Sequence, residues 1–308
     1  MAIFEKALEA NVMSTKMLIR ADVSKRILLE AYTLAKEFEK RYSAYIKESF
    51  LNTVNAMAGI EALPATPEDI ELFTRSITAS EHTNGVFDIT IGALSHGAYH
   101  FGFSNQQIAV PHVIAKQKEL VNYKEFLVTS QDVFLKRQGM RLDLGGIGKG
   151  YAAKKIAAFL LEKGAKKLLV NVGGEIVSYG KSYRISLLDP FSKESFLFFD
   201  TTKDVTSIST SGDYERFIGS KENNHILDIN KGTSANRYSS MSIIQNSFDI
   251  DLLDAYATAM FNSDLDSIHS YAKKLDFSVI LIDKDAGCSM INTKKLLYRS
   301  MNIFPFSS

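Results

Sequence analysis

Two segments in the first third of the chain carry apolar residues at three- and four-residue steps, which is the spacing of an amphipathic helix. The first helix is predicted over residues 23–46 and the second over residues 66–80. The second has a clear start signal, because Thr66 can cap it, Pro67 suits the first helical position and Asp69 completes a capping box. The early part of the chain is therefore expected to be rich in helix.

The later part of the chain mixes short apolar runs with further helical patterns. Strands are predicted in five segments, residues 126–144 (around a turn near Gly139), 166–176, 183–189, 205–210 and 277–283. Helical spacing returns in three segments, residues 151–163, 250–261 and 265–275. With no fixed-period repeat and no linker rich in Gly, Pro or Ser, this order predicts an α+β fold. We expect one compact domain over residues 1–308, with mixed β-sheets and flanking helices, or two interleaved lobes within it.

Composition limits the classes of function. The chain has 308 residues, of which 45% are hydrophobic and 23% charged, as in a globular protein with a full-sized core. Its net charge of +1 gives no sign of a nucleic-acid partner or of membrane-surface binding. The single cysteine, Cys288, excludes an intrachain disulfide and disfavours a zinc site of the usual kind. We see no secretory signal, lipid-bearing cysteine near the start or apolar run of membrane-spanning length. A cytoplasmic protein is therefore expected, or a periplasmic or membrane-anchored one if the N-terminus was trimmed.

The stretch RLDLGGIGKGYAAKKI, residues 141–156, is the most unusual in the chain because it holds four glycines, Gly145, Gly146, Gly148 and Gly150. A strand ending at residues 143–144, followed by glycines and a helix, would form a good anion site at the helix N-terminus. The dinucleotide fingerprint fails at Tyr151, and the P-loop pattern fails at Asp143 and Gly150. Phosphate binding and a plain strand–helix turn both remain open.

The helical segment DLLDAYATAMF, residues 251–261, holds a candidate metal site. Asp254 and Thr258 are four residues apart, so they share one face of the helix. Their oxygens are hard ligands that suit Mg²⁺ or Ca²⁺. Two ligands do not complete a site, so a polar stripe on a surface helix remains the alternative.

Three further polar clusters lie at turns. They are NVGGEI with Glu175, STSGDYERF over residues 209–217, and NHILDINKG over residues 224–232 with His225. Ser, Asp, Asn and Gly are common in turns, so each cluster could be ordinary turn chemistry. The remaining histidines, His82, His96, His100, His112 and His269, show no metal-ligand pattern.

The order of these clusters is more specific than any one of them. Together they resemble the FAD:protein FMN transferase family, the ApbE-like flavin transferases. The matching stretches, in family order from about residue 12 to residue 261, are VMSTKMLI, YSAYIKESFLNTVN, TNGVFDITIGAL, LDLGGIGKGYAAKK, NVGGEI, STSGDYERF, HILDINKG and LLDAYATAMF. The resemblance therefore covers most of the chain.

The resemblance implies an activity as well as an α+β fold. Members bind FAD and a divalent metal, usually Mg²⁺, and cut the FAD pyrophosphate with release of AMP. They attach FMN through a phosphoester to a threonine or serine of an acceptor protein, such as a subunit of an ion-pumping redox complex. The expected partners are therefore FAD and an acceptor flavoprotein with a Thr/Ser flavinylation motif.

The resemblance also assigns residues. It places the metal on the side chains of Asp254 and Thr258 and on the backbone carbonyl of Gly148, where the family commonly has alanine. His225 matches a candidate catalytic base, so His225 and Asp254 form the expected catalytic pair. The FAD contacts are expected from a larger set, Met13, Ser14, Thr15, Asp88, Gly145, Gly146, Lys149, Glu175, Ser211, Gly212, Asp213, Tyr214 and His225.

Three departures from the family pattern leave alternatives open. Ser14 stands where the family motif MGT has its glycine, and Glu175 stands where aspartate is usual. The loop DINKG, residues 228–232, lacks the proline, arginine and threonine of the family's DPRTG. An Mg²⁺-dependent FAD pyrophosphatase that yields FMN and AMP is one alternative. A non-catalytic FAD-binding accessory protein is another.

Overall fold

The computed structural model describes residues 4–293 and 297–301, and it contains helices together with antiparallel strands. The strands, numbered in chain order, are β1 Lys6–Val12, β2 Thr15–Ala21, β3 Leu63–Pro64, β4 Phe126–Val128, β5 Asp132–Leu135, β6 Leu168–Val172, β7 Glu175–Tyr179, β8 Arg184–Leu188, β9 Ser195–Asp200, β10 Val205–Gly212, β11 Phe217–Ile218, β12 Ser220–Asn224, β13 Leu227–Asp228, β14 Thr233–Ser234, β15 Tyr238–Gln245, β16 Ser278–Asp283, β17 Cys288–Ile291 and β18 Leu297–Met301. The helices are α1 Lys25–Tyr42, α2 Phe50–Ala56, α3 Pro67–His82, α4 Gly92–Ser95, α5 Pro111–Lys118, α6 Gly148–Glu162, α7 Ile250–Phe261 and α8 Leu265–Lys274, with a short 3-10 helix at Tyr123–Glu125. Of the helices described, none is both long and apolar enough to cross a bilayer.

The main sheet has eight antiparallel strands in the order β1-β2-β6-β7-β10-β15-β16-β17. Helices α6 and α7 pack on one face, where Val170 of β6 lies in the larger apolar core. The three-stranded sheet β18-β9-β8 covers the other face, where Leu169 of β6 packs with Ile185 and Phe199. Because both faces are covered, neighbouring positions of a strand are buried together, which explains the continuous apolar runs. The predicted α+β fold with mixed sheets and flanking helices is confirmed.

A β-hairpin that the sequence analysis did not predict precedes the helix-rich part of the chain, which follows in α1 to α5 between Lys25 and Lys118. Strands β1 and β2 pair from Lys6 opposite Ala21 to Val12 opposite Thr15. The buried residues of β2 fall at every second position, Met17, Ile19 and Ala21, and this is the period of a strand with one face on the core. The apolar run of β2 is only three residues long, Met17 to Ile19, which gives a weaker sequence signal than a longer apolar run.

The predicted helices are confirmed with small shifts at their ends. Helix α7 has the predicted bounds, and α3 begins with the predicted capping box, in which Thr66 Oγ1 accepts from Asp69 N and Asp69 Oδ2 accepts from Thr66 N. Helix α1 ends at Tyr42 rather than near residue 46, since Ser43 takes an extended conformation and the chain turns toward α2.

The prediction for residues 126–144 is only partly correct. Strands β4 and β5 are present, but residues 129–131 form the turn between them, and Gly139 lies beyond β5. No strand leads into the glycine-rich turn. Residues 141–147 are held instead by single contacts, such as Leu142 N to the Asn55 side chain and Asp143 N to Ile89 O.

Asp69 joins helices α1 and α3 through a buried carboxylate. Its side chain is fully buried and accepts hydrogen bonds from Arg41 Nε at 2.8 Å, Tyr42 Oη at 2.6 Å and Thr66 N at 2.7 Å. Burial alone would raise the pKa of Asp69, but these donors outweigh burial and lower it. The carboxylate is therefore held in its charged form.

We expect Asp69→Asn to lower the free energy of unfolding by roughly 2–4 kcal/mol at pH 7, because it leaves Arg41 beside a neutral, partly mismatched partner. The lowered pKa means that the contribution is complete above about pH 3.9 and is lost as the pH falls toward the folded value. Urea unfolding at pH 7 and pH 3 measures both effects. Asp266→Asn, at an exposed position in the first turn of α8, is the matched control and should cost less than about 1 kcal/mol. Equal losses from the two variants would contradict the anchoring role of Asp69.

Candidate active site

One cavity of about 290 Å³ lies between the hairpin turn β1–β2, the glycine-rich turn and helix α7. It brings together most of the residues that the sequence predicts for the site. Twelve of these residues line it, namely Met13, Ser14, Asp88, Gly145, Gly146, Gly148, Lys149, Ser211, Gly212, His225, Asp254 and Thr258. Residues up to 245 positions apart in the chain therefore share one space, since Met13 and Thr258 both face it.

The glycines of the turn are explained by close approach to helix α7. A Cβ on Gly146 would lie 2.8 Å from Thr258 Oγ1, and a Cβ on Gly150 would lie 2.6 Å from Ile250 O. Side chains at these two positions would therefore push the turn and α6 away from α7. Helix α6 begins at Gly148 after Ile147, which provides no side-chain cap. The helix start thus lies at the cavity wall without an N-cap side chain, and the Asp254 carboxylate of α7 accepts from Gly150 N in its first turn. The positive end of a helix in this position suits an anionic ligand.

Asp254 and Thr258 lie on the cavity face of α7, as their spacing predicts. Asp254 is 2% exposed, and its Oδ2 accepts a hydrogen bond of 2.9 Å from Gly150 N. Burial raises the pKa of Asp254, and the Lys149 ammonium opposes that shift. The carboxylate is thus a costly buried charge for which a cation is the natural partner.

Lys149 and Glu175 form a partly buried ion pair beside Asp254. Lys149 Nζ lies 2.7 Å from Glu175 Oε1, and the Glu175 side chain is fully buried. Burial alone would lower the pKa of Lys149, but the carboxylates of Glu175 and Asp254 outweigh burial and raise it. Burial and the Asp254 charge raise the pKa of Glu175. Lys149 therefore stays charged at the cavity wall, with Glu175 behind it.

His225 is held in a defined tautomer by the backbone. Its main-chain N–H and its Nδ1 lie 3.1 Å and 3.2 Å from the carbonyl oxygen of Arg216. Since a carbonyl can only accept, Nδ1 carries the proton and Nε2 is left with a free lone pair. Burial lowers the pKa of His225, so the neutral ring prevails near pH 7. The side chain can therefore accept a proton at Nε2.

The altered loop 228–232 keeps a defined conformation without the family's proline, arginine and threonine. Asp228 Oδ1 accepts from Asn230 N at 2.9 Å, and Gly232 N donates to Asp228 O at 2.7 Å. Two side chains from other parts of the chain donate hydrogen bonds to backbone carbonyls of this loop. Tyr99 Oη donates to Gly232 O at 2.8 Å, and Lys118 Nζ donates to Asn230 O at 2.7 Å.

Four of the predicted FAD contacts do not line the cavity, namely Thr15, Glu175, Asp213 and Tyr214. Thr15 packs against Gly173, and the Tyr214 ring lies over Gly212, where no Cβ would fit. Asp213 is 1% exposed and forms an ion pair with Lys284. These residues support the walls of the cavity, and a direct contact with FAD stays a prediction for each of them.

Asp88 lines the cavity, but its carboxylate is already engaged. Oδ1 accepts from the backbone N–H of Thr90 at 2.7 Å and from its hydroxyl at 2.6 Å, and Oδ2 accepts from Tyr123 N at 2.8 Å. Burial raises its pKa against these donors. Asp88 thus ties the segment before α4 to the 3-10 helix, and its role toward FAD stays a prediction.

Sequence reasoning missed several polar residues of the cavity, among them Tyr45, His96, Asp143, Glu215 and Arg216. Asp143, Glu215 and Arg216 lie inside the family motifs. Their position next to predicted site residues could therefore have indicated that they line the cavity. His96 had no such signal, since it lies outside the motifs, two residues beyond the end of TNGVFDITIGAL.

The cavity differs from a zinc-type centre. Across residues 4–293, no three His, Cys, Asp or Glu side chains come together in a way that could hold a metal ion. The candidate cation site therefore depends on one carboxylate, Asp254, with the neutral oxygens of Thr258 and Gly148 nearby. Such a donor set is typical of Mg²⁺ sites that use substrate phosphates as further ligands.

The fold and the cavity define a class of protein: an α+β protein in which a helix N-terminus, a partly buried lysine and a pair of hard oxygen ligands surround one cavity. The model of the ApbE family matches residues 12–281, and the chain belongs to that family. An FAD:protein FMN transferase of Klebsiella pneumoniae (strain 342) is 26% identical over 278 residues, which are 88% of this chain and 86% of that protein. One from Treponema pallidum (strain Nichols) is 28% identical over 258 residues, 76% of this chain and 70% of that protein.

Solved structures show the same fold. The ApbE protein of Thermotoga maritima superposes with a TM-score of 0.87 at 22% identity, covering 96% of this chain and 100% of that one. The flavin transferase ApbE of Vibrio cholerae superposes with a TM-score of 0.80 at 22% identity, covering 98% and 99%. The arrangement of the large sheet and its helices is thus retained at low sequence identity.

Two glycines of the turn give a matched pair of substitutions. A Cβ on Gly150 would meet the backbone of α7 at 2.6–2.8 Å, whereas a Cβ on Gly148 would meet Leu144 at an ordinary 3.4 Å. We expect Gly150→Ala to lower the free energy of unfolding by about 1–3 kcal/mol, because the two helices must separate. Gly148→Ala should be neutral or stabilising by up to about 1 kcal/mol, since alanine favours helix. Thermal and urea unfolding measure both, and a larger loss from Gly148→Ala would contradict the packing explanation.

Proposed function

We propose that this chain transfers the FMN moiety of FAD to a threonine or serine hydroxyl of an acceptor flavoprotein and releases AMP. One observation carries the proposal: the start of α6, Lys149, the pair Asp254–Thr258 and His225 surround a single cavity. These groups are what phosphoryl transfer requires, namely N–H donors and cations for the developing charge and a base for the nucleophile. The names of the relatives as FAD:protein FMN transferases support the same activity.

The residues of the cavity fit a magnesium ion. Asp254 is a buried carboxylate on the cavity wall, and Thr258 lies one helical turn further along the same face. We infer that Asp254, Thr258 Oγ1 and the Gly148 carbonyl would hold Mg²⁺, with FAD phosphates completing its shell. When bound, the ion supplies positive charge to the pyrophosphate oxygens.

The protein side of the pyrophosphate site comes from α6. Its N-terminal N–H groups and the Lys149 ammonium provide fixed positive charge at the cavity wall, where it needs no reorganisation during the reaction. The Glu175 carboxylate keeps Lys149 protonated and limits where its ammonium can point. Gly145 and Gly148 line the cavity without a side chain, so the backbone there can approach the phosphates closely.

The bond changes balance with the groups present. The acceptor hydroxyl oxygen attacks the phosphorus on the flavin side of the pyrophosphate, and a new P–O bond forms. The bond from that phosphorus to the bridging oxygen breaks, so AMP leaves with the bridging oxygen and its charge. The hydroxyl proton goes to His225 Nε2, the nitrogen left free by the Arg216 carbonyl. A pyrophosphatase would use the same groups with water as the nucleophile, so the identity of the nucleophile must be measured.

We expect Asp254→Asn to abolish Mg²⁺-dependent turnover, with a loss of at least about 100-fold, because it removes the charged ligand from the cation site. The assay incubates protein, FAD and Mg²⁺ with and without an acceptor that carries a threonine flavinylation motif. AMP is followed by chromatography, and flavin on the acceptor by in-gel fluorescence. The matched control is Asp249→Asn, since Asp249 precedes the same helix and its side chain is 47% exposed.

The native protein separates the three activities in the same assay. Fluorescent acceptor and AMP in equal amounts, both requiring Mg²⁺, are the expected result. AMP and free FMN at a rate independent of acceptor would replace the transferase by a pyrophosphatase. Bound but intact FAD would replace both by a passive flavin-binding protein. Full activity of Asp254→Asn would overturn the assignment of the cation site.

We expect His225→Gln to lower kcat by about 10²–10⁴-fold, as for loss of a general base. Because burial lowers the pKa of His225, native kcat should be flat near pH 7 and fall only as the pH drops through a value below the ordinary 6.5 or so. Glutamine cannot titrate, so this acidic limb should be missing from the variant. His269→Gln, at an exposed position of α8, is the control. An unchanged acidic limb in His225→Gln would rule out His225 as the base.

A further inference from the structure

A second histidine of the cavity lies beside a carboxylate rather than a carbonyl. His96, just after α4, is 4% exposed, and its Nε2 lies 3.1 Å from Asp143 Oδ2. Ser95 Oγ donates to the same carboxylate oxygen at 2.5 Å. Because two bare lone pairs would repel at 3.1 Å, His96 Nε2 carries a proton that it directs at Asp143.

The other oxygen of Asp143 holds the glycine-rich turn. Asp143 Oδ1 accepts a hydrogen bond of 2.8 Å from Gly145 N, at the first glycine of the turn. Burial alone would raise the pKa of Asp143, but His96, Ser95 and Gly145 outweigh burial and lower it well below its usual range. The charged carboxylate therefore connects α4 on one side with the turn on the other.

Stability does not explain why position 96 is a histidine. Within the described residues, His96 Nδ1 is buried and has no hydrogen-bond partner. A buried polar atom without a partner costs roughly 1–3 kcal/mol. The rings of Tyr45 and Phe103 pack edge-on against the imidazole and fix its plane. An oriented side chain retained at a cost in stability points to a functional constraint.

We propose that His96 is a positioning residue for the transfer reaction: it holds Asp143, and through Asp143 it fixes the glycine-rich turn that receives the pyrophosphate. The inference rests on the proposed function. Within it, His96 acts only through Asp143 and Gly145, and its effect falls on the placement of the phosphates. It is distinct from His225, whose Nε2 is free to take a proton.

The test compares His96→Leu, which removes the donor, with His96→Gln, whose amide can still donate to Asp143. Leucine should lower kcat for FMN transfer by about 10–100-fold and change KM for FAD by less than about threefold. Glutamine should restore kcat to within about fivefold of the native value. His112→Leu, at an exposed position of α5, is the control and should stay within about twofold. FAD affinity by flavin fluorescence and thermal unfolding are recorded for every variant.

A double-mutant cycle with Asp143→Asn separates positioning from a general effect on the fold. If His96 acts through Asp143, His96→Leu should lower kcat in the native background and have almost no further effect in Asp143→Asn. Additive losses would overturn the proposal, as would native kcat in His96→Leu. If the leucine variant does not fold, a folded glutamine variant with a loss greater than about tenfold would overturn it. Absence of transfer by the native protein is a failure of the proposed function; failure of the positioning role is distinguished from it by a native protein that transfers FMN and a folded His96→Leu variant that does so at the native kcat.

Discussion

The structure depends on the close approach of helix α6 to helix α7. Gly146 and Gly150 permit it, because any Cβ there would lie within 3 Å of Thr258 or of the α7 backbone. The same approach lets Gly150 N donate to the Asp254 carboxylate, so the start of one helix is hydrogen-bonded to the candidate metal ligand on the other. The start of α6 and the Asp254–Thr258 pair are thereby built as one unit, which is what the proposed binding of a metal ion and a substrate phosphate would require.

The approach of the two helices places three charged side chains in a region that contains little water. Asp254, Glu175 and Lys149 lie together at the cavity wall, and their mutual attraction and repulsion are strong because little solvent screens them. Burial raises the pKa of Glu175, and the charge of Asp254 raises it further, since two carboxylates face one ammonium. A divalent cation at Asp254 would reverse that balance and leave Lys149 free to attract phosphate. Because an ion pair removed from water adds little to folding stability, we attribute the Lys149–Glu175 pair to binding of the cation and phosphate rather than to stability of the fold.

The sequence predicted helices well and the cavity in part, for different physical reasons. The period of α7 and the capping box of α3 are local signals, and both were confirmed. The strand expected to enter the glycine-rich turn was wrong, since that segment is held by Asn55 and Ile89 from distant parts of the chain. His96 escaped notice for the same reason. Its partner Asp143 is 47 positions away, and no spacing in one sequence reveals such a contact.

At two departures from the family motifs, side chains of this protein hold the backbone in a defined conformation. Met13 and Ser14 adopt φ of 53° and 59°, the two left-handed residues of a hairpin turn in which glycine is usual. Glu39 Oε1 accepts from Met13 N at 2.9 Å, so a contact with α1 offsets the cost of a side chain at these angles. In the loop 228–232, the Asp228 carboxylate accepts a hydrogen bond from Asn230 N and so stabilises the turn to which it belongs. These substitutions change the functional groups that a ligand in the cavity would contact. Ser14 adds a hydroxyl to the cavity wall, and Lys231 adds an exposed ammonium on the loop beside it. Glu175, the third departure, does not line the cavity and would act on a ligand only through Lys149.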